Sequence, residues 1–223
     1  MAKPAEKLAE SLEALHAIRE RSTGAIRSGD LTRTHRERLL RNGFLQKVIK
    51  GWYVPTRPDE ISGESTAWYA SFWKFCAAYL CCLKGERWCL SPEQSLSLHA
   101  GNRAVPKQLL VRAFRARNNV TTLPHGTSLL VIRATMPSNR EIEEKDGLRI
   151  YSIPAALIAC SPEYFKHHRI DARAVLSQVH DASQLLDRLL NEGHTTIAGR
   201  LAGAFRNMGE ERIADDILKA MHA

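Results

Sequence analysis

A short segment near the N-terminus constrains the fold most, because its local folding signals change several times within a few residues. Residues 25–26 suggest a short strand, and residues 30–31 suggest a brief helical turn. Thr32 is a favourable N-cap for a helix over residues 33–42, which Gly43 would end in a left-handed conformation. Such a rapid alternation predicts a small, tightly connected unit at this end of the chain.

A hairpin signal follows directly. Residues 45–49 and 52–54 are β-capable runs, separated by the turn Lys50-Gly51. Short helical turn, basic helix and basic-tipped hairpin together predict a winged helix-turn-helix over residues 23–57, whose second helix would enter the major groove of DNA. The alternative is a small α/β cap whose charges are only solvated.

The distribution of charge favours the DNA-binding alternative. The chain has 223 residues, with 32 Lys and Arg against 24 Asp and Glu, for a formal net charge of +8. Residues 1–26 are neutral overall, whereas residues 27–50 carry +5 and residues 51–223 supply the other +3. Basic residues concentrated in this way suit a polyanion, because each neutralised phosphate releases a counterion.

Individual contacts can be assigned from positions along the helix. All four arginines of this helix are expected to project outward, since its one apolar face is supplied by leucines. Candidates for base contact lie at its N-terminal end: Arg33, Thr34 and Arg36. Candidates for phosphate contact are Arg38, Arg41, Lys47 and Lys50. The expected partner is double-stranded DNA, with no cofactor and no metal.

Apolar residues at helical spacing predict an amphipathic helix within residues 1–22, from about Lys3 to Arg21. Its apolar stripe would either pack on the adjacent unit or pair with a second copy in a homodimer. No apolar run approaches the roughly 20 residues of a membrane helix, and the first residues do not form a secretory signal. We therefore expect no membrane partner and a cytoplasmic location.

The rest of the chain predicts a second unit. Residues 58–64 are a linker, and residues 65–223 form an α+β domain with helices at its C-terminal end. An aromatic helix over residues 65–83 is expected in its core, rather than as a base-stacking platform. Further strands are predicted at 88–90, 108–114, 129–134 and 148–153, and further helices at 92–99, 154–159, 172–179, 183–190, 196–205 and 212–221.

The cysteines are expected to be small buried residues in a reducing compartment. Their number is odd, none forms a CxxC pair, and they are Cys76, Cys81, Cys82, Cys89 and Cys160. A metal site is the alternative.

Catalytic motifs for nucleophilic, metal-assisted or phosphate-transfer chemistry are absent from the sequence. Polar residues that could converge in the second unit are Glu93, His99, Asn102, His125, Thr127 and Ser128. A glutamate and two histidines could support general acid–base chemistry. Capping and turn roles explain them more simply, so we do not expect an enzyme.

Several longer stretches carry a resemblance: Trp68–Trp73, Trp88–Asn102, Val105–Val111 and Leu123–Ser128, with Lys50-Gly-Trp-Tyr-Val54 before them. Together they resemble the AbiEi-like antitoxin and transcriptional-regulator family, in the form found as the N-terminal region of bacterial Fic proteins. The resemblance spans roughly residues 20 to 220. It implies a winged DNA-binding domain that represses its own operon, followed by an α/β domain that opposes or regulates a partner toxin.

Two departures from Fic sequences bear on this resemblance. The HPFx[DE]GNGR-type loop of Fic enzymes is absent, and residues 99–102 echo only part of it. Residues 97–102 match the loose form of the inhibitory helix of Fic proteins, but Gly101 stands where that helix has glutamate. The alternative function is therefore a regulatory module that binds a Fic-type enzyme, encoded separately or cut from the same chain.

Overall fold

The computed structural model describes residues 3–21, 24–59, 65–191 and 195–222. These residues form helices and strands in mixed order, which confirms the α+β class predicted from the sequence. Most of the predicted linker, residues 60–64, lies outside the described residues.

The first five elements form an N-terminal unit. They are α1 (Pro4–Arg21), β1 (Ile26–Arg27), α2 (Arg33–Arg41), β2 (Leu45–Ile49) and β3 (Trp52–Pro55). Its strands make an antiparallel sheet in the order β1-β3-β2.

Local chemistry explains α2 and the hairpin. The Thr32 hydroxyl accepts a hydrogen bond from His35 N at 3.3 Å and caps α2, as predicted. Gly43 (φ +74°) ends the helix, and Gly51 (φ +81°) turns the hairpin, where an L side chain would be strained. The predicted helical turn at residues 30–31 is wrong, because the Asp30 carboxylate accepts from Arg27 N at 2.8 Å and closes a non-helical turn.

The second unit begins with the aromatic helix α3 (Thr66–Lys84). It is followed by β4 (Trp88–Leu90), α4 (Pro92–His99), β5 (Gln108–Ala113), β6 (Asn119–Thr122), β7 (Ser128–Arg133), a 3₁₀ turn (Asn139–Glu141), β8 (Ile142–Lys145) and β9 (Leu148–Tyr151). Strands β4 to β7 form a sheet in the order β4-β5-β7-β6, in which β5 and β7 are parallel. Strands β8 and β9 form a separate antiparallel pair.

Helices complete the chain, as the sequence predicts. They are α5 (Ile153–Ala159), α6 (Pro162–His167), α7 (Arg169–Leu176), α8 (Ser183–Asn191), α9 (Thr195–Arg206) and α10 (Glu211–His222). Four elements were not predicted, namely α6, β6, β8 and the 3₁₀ turn. Strand β6 is extended from Asn119 onward by its pairing with β7.

Helix α3 lies in the core, which confirms the structural interpretation of its aromatic side chains. Trp68, Phe72 and Phe75 are fully buried and meet edge to face. The Trp68 indole N–H donates to the Thr127 hydroxyl at 3.1 Å, so its polar atom is also satisfied. These rings therefore stabilise the second unit and are not available to stack on bases.

The two units share one apolar cluster. Ala25 and Val54 of the N-terminal unit belong to the same cluster as the core face of α3. Trp52 extends this contact, with its ring centroid 6.0 Å from that of Phe75 and 5.3 Å from that of Tyr79. The position of the hairpin is thus set by the second unit as well as by α2.

The cysteines only partly follow the prediction. Cys76, Cys89 and Cys160 are buried, but Cys81 and Cys82 are exposed because the last turns of α3 extend beyond the core. Among the described residues, no three His, Cys, Asp or Glu side chains are grouped as metal ligands would be. Nor does this part of the chain contain a helix with the length and apolar character needed to cross a bilayer.

Candidate nucleic-acid interface

Helix α2 presents an exposed face that contains several of the predicted contacts. Its exposed side chains include Arg33, Thr34, Glu37 and Arg41. At 100° per residue these four positions fall within about a quarter of the helix circumference. Leu39 lies on the opposite side and is fully buried. The face is therefore formed by one side of a helix whose other side is fixed in the core.

Arg33 forms an ion pair on this face. Its Nε donates to Glu37 Oε1 at 2.7 Å, one helical turn away, and both side chains are largely exposed. The Arg33 guanidinium holds the pKa of Glu37 below its ordinary value, so Glu37 remains charged at neutral pH. Because exposed pairs contribute little to stability, a phosphate or a guanine edge can replace this carboxylate at Arg33.

Arg36 is engaged within the N-terminal unit. Its Nη1 donates to the Ser28 carbonyl at 2.6 Å, and its Cζ lies 5.9 Å from the centre of the Tyr53 ring. These contacts fasten α2 to the β1–α2 turn and to β3. The guanidinium predicted to contact a base is thus committed to the protein.

Arg38 points toward α1. Its Nη1 donates to the Lys7 carbonyl at 2.5 Å and to Ser11 Oγ at 2.8 Å. Ser11 Oγ also lies 2.9 Å from His35 Nδ1, which completes a polar cluster between the two helices. The expectation that every arginine of α2 projects outward is therefore not met at Arg36 and Arg38, and we leave both out of the candidate surface.

This polar cluster also determines where the N-terminal helix lies. Leu15 of α1 is buried in a cluster with Leu39 of α2, and the Ser11–His35–Arg38 contacts flank that cluster. The apolar stripe of α1 thus packs on its own chain, which was one of the two alternatives predicted.

The hairpin supplies two further cations. Lys47 lies in β2 opposite Tyr53, and Lys50 lies at the turn between β2 and β3. Both side chains are exposed. The candidate surface, as defined from here on, comprises Arg33, Thr34, Glu37, Arg41, Lys47 and Lys50.

The ion pair of Glu37 with Arg33 on the exposed face of α2 was not predicted from the sequence. The i, i+4 spacing from Arg33 was visible and signals an ion pair on a helix. No linear pattern could have revealed the cluster of Ser11, His35 and Arg38, because it depends on the packing of two helices.

The polar residues considered for catalysis are dispersed among structural hydrogen bonds. Glu93 accepts from Ser161 N at 3.0 Å, and His99 Nε2 lies 2.8 Å from the Tyr151 carbonyl. Asn102 donates to Asp171 at 2.9 Å. These three hydrogen bonds connect α4 and the residues after it with α6, α7 and β9, and none of them is a helix cap or a turn contact.

The other three residues lie at the start of β7 and in the turn before it. Thr127 Oγ1 donates to the Pro124 carbonyl at 2.7 Å, and Ser128 Oγ donates to the Lys107 carbonyl at 3.3 Å. His125 has φ of +53° within the turn, and its ring lies beside that of Tyr69. The structure does not bring these residues together with Glu93 and His99 into one hydrogen-bonded group.

Comparison with known proteins supports the architecture. No protein-family model matches the sequence, and no curated protein matches it. The crystal structure of the RV2827C protein from Mycobacterium tuberculosis is similar to this chain, with a TM-score of 0.57 and 17% sequence identity. The match covers 97% of this chain and 82% of that one. At this identity the likeness concerns the fold alone, and it extends over nearly the whole chain.

Proposed function

We propose that this chain is a DNA-binding transcriptional regulator whose N-terminal unit is a winged helix-turn-helix. The order of elements supports the proposal: helix, short strand, turn, second helix and hairpin, with the last strand in the middle of the β1-β3-β2 sheet. In this interpretation the turn after β1 replaces a full second helix, α2 is the recognition helix and the β2–β3 hairpin is the wing.

The candidate surface carries the proposal. Arg33 and Thr34 lie in the first turn of α2, where a recognition helix reaches base edges, and both are exposed. Arg41, Lys47 and Lys50 provide three exposed cations for backbone phosphates. In this proposal Arg36 and Arg38 set the orientation of α2 and do not touch DNA.

Measurement of duplex binding against salt concentration tests the proposal. The probes are the chain's own promoter region and a shuffled duplex of the same length and composition. Arg33→Ala should reduce affinity for the promoter more than for the shuffled duplex, whereas Lys50→Ala should reduce both by the same factor. Each lost phosphate contact lowers the slope of log affinity against log salt by about 0.9.

Exposed cations away from the candidate surface provide matched controls. Arg140→Ala and Lys219→Ala remove the same charges from the second unit and should leave both affinities close to those of the unaltered chain. Equal losses in all four variants would show that net charge alone attracts the DNA, and would overturn the assignment of α2 as recognition helix.

The antitoxin part of the proposal rests on the family resemblance. In this part of the proposal the second unit binds a partner toxin. A Fic-type enzyme is the alternative partner. Co-expression with the product of the neighbouring gene should yield a complex that survives in the Arg33→Ala variant, since the recognition helix is not needed for it. Isolation of the free chain alone would reject this partner.

A further inference from the structure

A second basic segment lies in the middle of the chain, and the average charge of residues 51–223 conceals it. Residues 94–140 contain seven Lys and Arg and no Asp or Glu. Two of these cations serve the fold: Arg103 pairs with Asp146, and Arg112 donates to the Tyr151 hydroxyl at 3.0 Å. The others are available for a ligand.

The strand order brings three of these arginines to one edge of the sheet. Strands β5 and β7 are parallel neighbours, so their carboxyl ends meet at the same edge. The loop of residues 114–118 leaves β5 at this edge and passes β7 to reach β6 on its far side. Arg115 and Arg117 lie in that loop, and Arg133 ends β7.

A cleft of about 600 Å³ lies at this edge. Its apolar wall includes Tyr79 and Leu83 from the C-terminal end of α3. Its charged lining consists of Lys84, Arg115, Arg117 and Arg133, and no carboxylate lines it. The cleft therefore combines a high positive charge with a depth that a flat surface lacks.

The cations of this cleft have no carboxylate partner within the described ranges. The ion pairs of those ranges involve other arginines, such as Arg27, Arg33 and Arg206. Lys84 Nζ donates to the Arg115 carbonyl at 2.8 Å, which orients the loop. Arg133 N donates to the Asn118 side chain at 2.7 Å, which leaves its guanidinium uninvolved in that contact. Like charges held close together repel one another unless an anion lies between them.

The cleft adjoins the N-terminal unit. Tyr79 lines it and also contacts Trp52 of β3, two residues from Lys50 at the hairpin tip. Arg27 of β1 also contacts the last turns of α3, with its Nη1 3.7 Å from Cys82 Sγ, although its charge is paired with Asp30. The hairpin and the cleft thus meet at the end of α3, through the contact between Trp52 and Tyr79.

We infer that this cleft is a second phosphate-binding site, which holds the DNA backbone beyond the segment that the hairpin contacts. The inference rests on the proposed function and extends its footprint to the second unit. Charge complementarity and continuity with the candidate surface favour a nucleic-acid backbone, which presents closely spaced phosphates along such a path.

Two duplex lengths test the inference. The short duplex covers about one and a half helical turns around the sequence that Arg33 recognises, and the long duplex is twice that length. The triple variant Arg115→Gln, Arg117→Gln, Arg133→Gln should lose roughly tenfold or more in affinity for the long duplex. Its salt slope on that duplex should fall by about 2 to 3, while its affinity for the short duplex stays unchanged.

The control is Lys107→Gln, Arg140→Gln, Lys219→Gln, which removes the same charge from exposed positions outside the cleft. It should bind both duplexes as the unaltered chain does, and equal melting temperatures establish that both triple variants are folded. If short-duplex binding depends on Arg33 but the cleft variant shows no loss on the long duplex, the inference fails and the proposed function stands. If neither duplex binds, both fail.

Free nucleotides are the other source of phosphate. The inference would also be overturned if a free nucleoside triphosphate bound the unaltered chain but not the cleft variant, and if its binding left the affinity for DNA unaffected. Competition of that nucleotide with the long duplex, but not with the short one, would support the inference, because the nucleotide and the long duplex would then bind the same cations.

Discussion

Glu37 forms an ion pair with the guanidinium that the proposed function assigns to base contact, namely that of Arg33. Its carboxylate occupies the guanidinium in the free protein, and it adds a negative charge to a surface proposed to approach phosphates. We expect Glu37→Gln to increase duplex affinity several-fold, by removing both effects. Titration of a labelled duplex, followed by fluorescence anisotropy, measures this affinity. The control is Glu143→Gln, which neutralises an exposed carboxylate in β8. An unchanged affinity would mean that α2 does not face the DNA.

Arg38 and Arg41 separate stability from binding on one helix. Arg38→Ala leaves the Lys7 carbonyl and Ser11 without a charged donor, and should lower the free energy of unfolding by roughly 1–3 kcal/mol. Arg41→Ala removes an exposed side chain, and should leave stability unchanged while weakening DNA binding. Urea denaturation and duplex titration of both variants check this. The reverse pattern would contradict the assignment of Arg38 to the contact between α2 and α1.

Burial of cysteine thiols makes the free energy of unfolding decrease at alkaline pH. Burial raises the pKa of the Cys89 thiol to about 11 from an ordinary 9.0. Between these values the unfolded chain releases a proton that the folded chain keeps, so stability is complete below pH 9 and falls as pH rises toward 11. Urea denaturation across this range should show a decline that is smaller in Cys89→Ala, by up to about 1.4 kcal/mol per pH unit. The exposed Cys81→Ala should decline as the unaltered chain does.

At the scale of elements, α2 depends on its cap. Thr32→Ala removes the side-chain acceptor for His35 N, and should cost about 1 kcal/mol of stability and weaken DNA binding through fraying of the turn that carries Arg33. Thr32→Ser keeps an equivalent acceptor and should restore both properties. Thermal unfolding with duplex titration tests this, and an Ala variant equal to the Ser variant would show that the cap is dispensable.

Local signals explain which elements could be predicted. The Thr32 cap, Gly43 and Gly51 determine α2 and the hairpin within a few residues, so the sequence predicts them well. Strand β6 was not predicted because its sequence is short and polar, and because its extended conformation depends on pairing with β7. Helix α6 was not predicted because it has only six residues, although Ser161 and Pro162 at its start are a recognisable N-terminal helix signal.

The candidate surface was predictable only as a set of exposed charges. Sequence placed Arg33, Thr34, Arg41, Lys47 and Lys50 on a basic unit, but the inward direction of Arg36 and Arg38 follows from packing against β3 and α1. The absence of acids from residues 94–140 could have been read from the sequence. Their convergence in a cleft could not, because it requires the order of strands β5, β7 and β6.

At the scale of the whole molecule, the apolar cluster shared by the two units predicts that they unfold together. We expect calorimetry to show a single unfolding transition with equal calorimetric and van't Hoff enthalpies. Trp52→Ala removes the ring contacts to Phe75 and Tyr79, and should lower stability by about 2 kcal/mol and separate the transitions. Tyr69→Ala, which alters an exposed ring of α3, should do neither. Two transitions in the unaltered chain would contradict the joint core.

The Trp52–Tyr79 contact has a thermodynamic consequence of its own. One ring belongs to the hairpin and the other to the wall of the cleft, so neither can shift without affecting its neighbour. A molecule whose binding shifted Tyr79 would therefore change the affinity of the hairpin for its ligand, and that ligand would change the affinity of the cleft by the same factor. Under the proposed function, a small molecule or peptide bound at the end of α3 would thereby act as an inducer or a corepressor without touching α2.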